Sequence, residues 1–221
     1  MLSVVFDLDG TLADTAGDLI AAANAALGAL GHAPQLVHGP DDATAFAGGR
    51  AMLRLAGERM ALAEPEPMVE AGYPLLLDAY GRAIDTHTTL YPGAVAAVDR
   101  LRAAGHLVGI CTNKPEGLAV ELIARLGLTE RFPVLIGADT LPVRKPDPTP
   151  LFEVVTRLGG DPSRAVLIGD TITDRKTSAA AGIPSVLVTF GPTGRAVADL
   201  SPEALLDHYD ELDQVLADLF P

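Results

Sequence analysis

The chain has one cysteine, Cys111, and no tryptophan in 221 residues. A lone thiol excludes an intramolecular disulfide, so the fold must be held by its core, which fits a reducing compartment. Cations are scarce: 16 Lys and Arg stand against 29 Asp and Glu, for a net charge of −13. A surface of that sign repels nucleic-acid backbones and anionic lipid, so neither is expected as a partner. It also repels phosphorylated small molecules at range, so any phosphate site must be made locally positive by a metal or by a few placed cations. Long apolar runs are missing as well. The first run stops at Asp7 and has no basic residues before it, which argues against a signal peptide. No other run approaches the roughly 20 residues of a membrane span. A cytoplasmic location is the expectation. The five histidines, His32, His38, His87, His106 and His208, show no metal-ligand spacing. No Gly-x-x-x-x-Gly-Lys-Ser/Thr signature marks a nucleotide P-loop.

What is present is a globular composition, 48% hydrophobic and 20% charged, which excludes a disordered chain. The length suits one large domain, or one domain with a sizeable insertion. Short β-branched or aliphatic runs at 2–6, 107–111, 134–136, 165–168 and 185–188 read as buried strands. Between the later runs lie helical patterns at 94–104, 116–126, 149–158 and 173–181, several closed by glycine, and a last helix is expected over 211–219. Strands alternating with helices call for a parallel sheet covered on both faces. Residues 14–88 break the alternation. They hold helical patterns at 16–30, 48–60 and 68–84 and no convincing strand, so they read as an insertion after the first strand, large enough to cap the sheet's C-terminal edge.

Ligands of open α/β sheets bind at the C-terminal ends of the strands, and those ends carry polar groups. The first ends in Asp7-Leu8-Asp9-Gly10-Thr11, and residues two apart on an extended segment point the same way. The alternative for this pair is a loop whose two acids face water. The second strand ends in Thr112-Asn113-Lys114, and the fourth in Gly169-Asp170, with Asp174 four residues on. Arg144-Lys145-Pro146-Asp147-Pro148 lies between the third and fourth strands. Carboxylates Asp7, Asp9, Asp170 and Asp174 suit a hard cation with oxygen ligands, and Mg²⁺ needs few protein ligands. The Thr112 hydroxyl, backbone N–H groups and the Lys145 ammonium suit a phosphoryl group. Together they describe a phosphoryl-transfer site.

Phe6-Asp7-Leu8-Asp9-Gly10-Thr11-Leu12 resembles the first motif of the haloacid dehalogenase-like superfamily. Thr112 resembles the second, Lys145-Pro146 the third, and Gly169-Asp170 with Asp174 the fourth. Tyr91-Pro92-Gly93, Thr112-Asn113-Lys114-Pro115 and Arg144-Lys145-Pro146-Asp147-Pro148 are similar to phosphoglycolate phosphatases and their near relatives. The resemblance covers nearly the whole chain. It implies a three-layer, doubly wound, Rossmann-like core of residues 1–13 and 89–221 with strand order 5-4-1-2-3, and a helical cap of residues 14–88. It implies a Mg²⁺-dependent phosphatase for a small monoester, 2-phosphoglycolate first, as a monomer or homodimer. The alternatives are a phosphosugar mutase of the beta-phosphoglucomutase type, or a phosphatase for another small metabolite such as a sugar phosphate or nucleotide. Asp7 would be the nucleophile and Asp9 the general acid and base. Asp7, Asp170 and the Asp9 carbonyl would ligate the metal. Asp174 would hold metal-bound water or orient Lys145. Thr112 and the Asn113 backbone would hold phosphoryl oxygens, and Lys145 would neutralise the phosphoryl group and Asp7.

Other residues read as structural. Lys114 is expected to be a rim charge, Asp14 a helix cap and Asp147 a turn residue. Cys111 is expected in the core; the residue six beyond it is Gly117, where a cysteine phosphatase needs a phosphate-clamping arginine. Arg50, after Gly48-Gly49, either pairs with a substrate carboxylate or begins a helix as a solvated side chain.

Overall fold

The computed structural model describes all residues, Met1–Pro221. It contains a six-stranded sheet of β1 (Ser3–Phe6), β4 (Leu107–Cys111), β5 (Leu135–Ile136), β6 (Ala165–Gly169), β7 (Ser185–Val188) and β8 (Ala204–Leu206). The order is β5-β4-β1-β6-β7-β8, and every pairing is parallel. β2 (Ala13–Asp14) and β3 (Thr89–Leu90) form a separate two-stranded ribbon. The five strands read from sequence take the expected order. The sixth, β8, was not anticipated, because three residues flanked by Pro202 and the polar Asp207 carry too little pattern to register.

All four residues of β1 are buried, which requires cover on both faces. On one face Val5, Cys111 and Leu167 share a core with Leu151, Val154 and Val155 of α7 (Thr149–Arg157). Gly109 makes this approach possible, since a Cβ there would stand 2.7 Å from Val154. On the other face Phe6 meets Phe132 edge-on and lies beside Tyr209. The remaining core helices are α5 (Ala94–Ala103), α6 (Glu116–Arg125), α8 (Ile172–Ala181) and α9 (Leu212–Leu219). Cys111 is fully buried, and burial pushes its thiol up to about 12, so it is a core residue, as expected.

By contacts the chain divides into a sheet-bearing unit, Met1–Ala13 with Leu90–Pro221, and a helical unit, Asp14–Thr89. The helical unit comprises α1 (Ala16–Ala29), α2 (Asp42–Phe46), α3 (Gly49–Arg59) and α4 (Glu66–Arg82). Its apolar face is built from Ile20, Ala23 and Leu27, Met52 and Leu53, and Val69, Leu76 and Tyr80. α2 is a short turn of helix in the stretch where the sequence pattern breaks. α4 runs through Pro74, whose exposed ring costs one backbone hydrogen bond without interrupting the buried face. Asp14 Oδ1 accepts from the N–H of Ala16, the first residue of α1, but the N-cap position itself is held by Thr15. No helix is long and apolar enough to cross a membrane.

One buried carboxylate ties this unit together. Asp18 of α1 accepts from the backbone N–H groups of His87 and Thr88 and from the Thr88 hydroxyl, at 2.7–3.0 Å. Asp18→Ala would leave those donors unsatisfied in a buried place, at a cost of about 3 kcal/mol. The expected result is lower thermal stability, with faster amide exchange at His87 and Thr88; unchanged protection at both would contradict this role.

Candidate active site

The site grows from the C-terminal end of β1. Parallel pairing with β4 and β6 places the end of β1 between theirs, so residues far apart in sequence converge there. The Asp7 N–H continues the ladder to the Ile168 carbonyl at 2.8 Å. Its carboxylate accepts from the Leu8 N–H at 2.7 Å and lies 3.1 Å from Lys145 Nζ, both through Oδ1. Lys145 Nζ also donates to Asp174 Oδ1 at 2.7 Å. The other Asp174 oxygen accepts from the Thr171 N–H and hydroxyl at 3.1 and 2.7 Å. Thr171 precedes α8, so Asp174 caps its own helix while holding the lysine. Asp170 accepts from the Thr11 hydroxyl at 3.0 Å. Gly10 lies against it: φ is +80°, and a Cβ would fall 2.2 Å from Asp170 Oδ2, so only glycine fits. Behind the loop, the buried Tyr209 hydroxyl donates to the Thr11 carbonyl at 2.8 Å.

Oxygens of Asp7, Asp170 and Asp174 lie within 4.8 Å of one another, and all three residues are buried. One lysine does not balance three carboxylates. Burial pushes Asp7 up to about 6, with Lys145 opposing and Asp174 and Asp9 adding to the rise. Burial, then Asp174 and Asp7, raises Asp170 well above the usual carboxylate range. Burial works against the Lys145 charge, but Asp174 and Asp7 outweigh it and hold the ammonium above its ordinary value. A buried, oxygen-only set with surplus negative charge fits a hard divalent cation. Asp174 is the least available of the three, because both its oxygens already serve Lys145 and Thr171.

A pH dependence follows for the metal-free protein. The folded value of Asp7 lies above its unfolded value near 4, so the folded state holds this proton more tightly. Its contribution is complete below pH 4 and is lost as pH rises to about 6, by roughly 3 kcal/mol. Thermal melts should show a divalent cation stabilising the protein more at pH 7.5 than at pH 5. Equal stabilisation at both would contradict the surplus charge.

The expected phosphoryl-binding residues lie at the end of β4. Thr112 is buried, and its Oγ1 accepts from the Lys114 N–H at 3.1 Å. The Asn113 amide donates to the Lys145 carbonyl at 2.9 Å, tying the two loops together. Lys114 requires a correction. It is no rim charge: its side chain is 3% exposed, and its Nζ lies 2.8 and 3.0 Å from the two Asp9 oxygens. Asp9 is thus set apart from the Asp7–Asp170–Asp174 cluster by a lysine of its own. A sign was present in the sequence: four aspartates on one edge with only Lys145 among them leave charge to be offset, and Lys114 follows the same strand end. Asp147 accepts from the Thr149 N–H at 2.9 Å and belongs to the turn before α7, as expected. Arg50 lies in the helical unit, paired with Glu70 and placed 4.5 Å over the Tyr73 ring.

Comparison with known proteins gives the family. The model of the haloacid dehalogenase-like hydrolases matches residues 1–182. The chain belongs to that family. It is 41% identical to a phosphoglycolate phosphatase of Mesorhizobium japonicum, covering 97% of this chain and 94% of that protein. It is 36% identical to one of Agrobacterium fabrum, covering 96% and 91%. Among solved structures, a predicted phosphoglycolate phosphatase from Haemophilus somnus superposes with a TM-score of 0.81 at 22% identity, over 97% of both chains; that likeness bears on the fold. The expectation of a phosphoric monoester hydrolase agrees with the curated names.

Proposed function

We propose that the protein is a Mg²⁺-dependent phosphatase that hydrolyses a small phosphate monoester, 2-phosphoglycolate, through an aspartyl-phosphate on Asp7. The observation that carries the reading is the unequal setting of two aspartates two residues apart. Asp7 is buried with Asp170, Asp174 and Lys145, whereas Asp9 is turned to Lys114. One is set up to bear negative charge beside a cation site, and the other is separate enough for a different task. The names of the curated relatives support the choice of substrate.

In this reading Asp7, Asp170 and the Asp9 carbonyl hold the metal, with Asp174 acting through Lys145. The cation supplies positive charge between two anions that must meet. An Asp7 oxygen attacks phosphorus and the phosphorus–ester-oxygen bond breaks. The departing oxygen keeps the electron pair and takes a proton from Asp9. Asp9 then removes a proton from water as that water attacks phosphorus, and cleavage of the phosphorus–Asp7 bond releases phosphate and restores Asp7. Thr112 and the Asn113 backbone hold phosphoryl oxygens, and Lys145 offsets their charge.

A phosphate-release screen over many monoesters with Mg²⁺ present tests the assignment, with the highest kcat/KM expected for 2-phosphoglycolate. A phosphosugar converted to its isomer without phosphate release would point to a mutase instead. Asp9→Asn should lower kcat most for esters with poor leaving groups, by about 10²- to 10⁴-fold. A uniform loss across leaving groups would argue against a general acid.

A further inference from the structure

Tyr91-Pro92-Gly93 takes no part in the reaction drawn above, and its contacts lead to Tyr209. Gly93 has φ +82°, and a Cβ there would fall 3.1 Å from the Tyr209 Cβ, so a glycine at the start of α5 gives that residue its seat. The centroid of the Tyr91 ring lies 4.9 Å from that of Phe190, which lies 5.2 Å from that of Tyr209. Arg100 of α5 donates to the Tyr209 carbonyl at 3.0 Å. Tyr209 is thus held by ring and by backbone in a fully buried place. Packing alone does not call for a phenol there, since a plain ring fills the same space and a buried hydroxyl needs a partner. The partner is the Thr11 carbonyl, at 2.8 Å. Thr11 has weak support of its own: its N–H reaches the Leu8 carbonyl only at 3.4 Å, against 3.0 and 3.1 Å for the next two N–H groups on the same oxygen. From Thr11 the chain of contacts continues to the site, because its hydroxyl donates to Asp170 Oδ1 at 3.0 Å.

We infer that Tyr209 is a positioning residue for divalent-cation binding: through Thr11 it holds the Asp170 carboxylate in its place beside Asp7 and Asp174. The inference rests on the proposed part of Asp170 as a metal ligand and adds the residue that sets its orientation. Asp170 is bounded on both oxygens, by the Thr11 hydroxyl at Oδ1 and by Gly10 against Oδ2. A carboxylate already set in this way loses little freedom on binding a cation, whereas one free to turn must be ordered at the expense of affinity. Partners behind a ligand are worth about 10- to 100-fold in metal affinity. Thr11 stands directly behind Asp170 and Tyr209 one bond further back, so the effect of Tyr209 is the smaller of the two.

The test measures Kd for Mg²⁺ by calorimetry on the full-length protein without substrate, with thermal melts on the same samples. Tyr209→Phe keeps the ring and removes only the hydroxyl; Thr11→Val keeps the shape and breaks the link to Asp170. Kd should rise about threefold to tenfold in Tyr209→Phe and about tenfold or more in Thr11→Val. In the Thr11→Val background, Tyr209→Phe should change Kd by less than about twofold, because the link is already broken. Val154→Ala, which opens the core on the opposite face of the sheet, should lower the melting temperature and leave Kd as in wild type. The Mg²⁺ concentration giving half-maximal phosphate release should rise with Kd in Tyr209→Phe, and the loss of rate should shrink as Mg²⁺ saturates. An unchanged Kd in Tyr209→Phe would overturn the inference, and so would independent, additive losses in the double variant. An equal rise of Kd in Val154→Ala would overturn it too, leaving Tyr209 a support for the fold alone. A wild-type protein that binds no Mg²⁺, or an Asp170→Asn variant that binds it with wild-type Kd, would overturn the proposed metal site and the inference with it.

Discussion

Asp7→Asn is expected to abolish turnover and phosphoenzyme formation while giving a protein that melts higher than wild type in metal-free buffer at pH 7.5. The loss of rate is the larger effect. An amide at this position cannot serve as the nucleophile, and removing such a group costs on the order of 10⁴-fold or more in kcat. The gain in stability comes from the same geometry. Asp7 is one of three buried carboxylates whose oxygens lie within 4.8 Å of one another. Making it neutral removes repulsion within the cluster, while Lys145 keeps its 2.7 Å bond to Asp174. The metal-free protein should gain about 1–3 kcal/mol at pH 7.5, and the fall in stability between pH 4 and 6 should flatten. Added Mg²⁺ should then stabilise the variant less than wild type. Mass spectrometry of acid-quenched enzyme reads the first outcome and thermal melts read the second. A phosphorylated Asp7→Asn protein would remove the proposed mechanism. Such an opposition of stability and function is expected where a site stores like charge for its chemistry.

The residues legible in the sequence were those whose placement follows from local pattern. β1, β4 and β6 are short, largely apolar runs, and parallel pairing alone puts Asp7, Thr112 and Asp170 at one edge. Side-chain partnership across long separations was legible only where the family resemblance supplied it, for Lys145 with Asp7 and Asp174. Asp9 and Lys114 are 105 residues apart, and Thr11 and Asp170 are 159 apart. Local pattern at the end of a strand does not tell whether a lysine three residues on turns inward or outward, so Lys114 read as a rim charge although the charge balance of the edge called for a second cation. Tyr209 supports Thr11 from 198 residues away, on a segment where sequence pattern anticipated no strand, because β8 is only three residues long. Asp174 kept two readings in the sequence. The structure places it on Lys145 and Thr171, within the carboxylate cluster it forms with Asp7 and Asp170.

Lys145→Met should cause the largest loss of stability at the site. Methionine fills a similar volume, so the change isolates the charge. Lys145 Nζ lies 3.1 Å from Asp7 and 2.7 Å from Asp174, with 2% of its side chain exposed. Without the ammonium, Asp7, Asp170 and Asp174 are left without their cation in a nearly dry place. Breaking a buried pair in this way costs about 3–5 kcal/mol. The deficit should grow from pH 5 to pH 7.5 as Asp7 gives up its proton, and saturating Mg²⁺ should restore much of the melting temperature. It should not restore kcat, which is expected to remain roughly 10²- to 10³-fold low because the phosphoryl group has lost a cation aimed at it. Lys145→Arg should rescue neither fully: a planar guanidinium is broader than an ammonium, and the side chain here is buried between Asp7 and Asp174. Melts and steady-state kinetics on the same samples, with and without Mg²⁺, separate the two roles. If kcat recovered along with stability, Lys145 would be a counter-ion for the carboxylates and no part of the phosphoryl site.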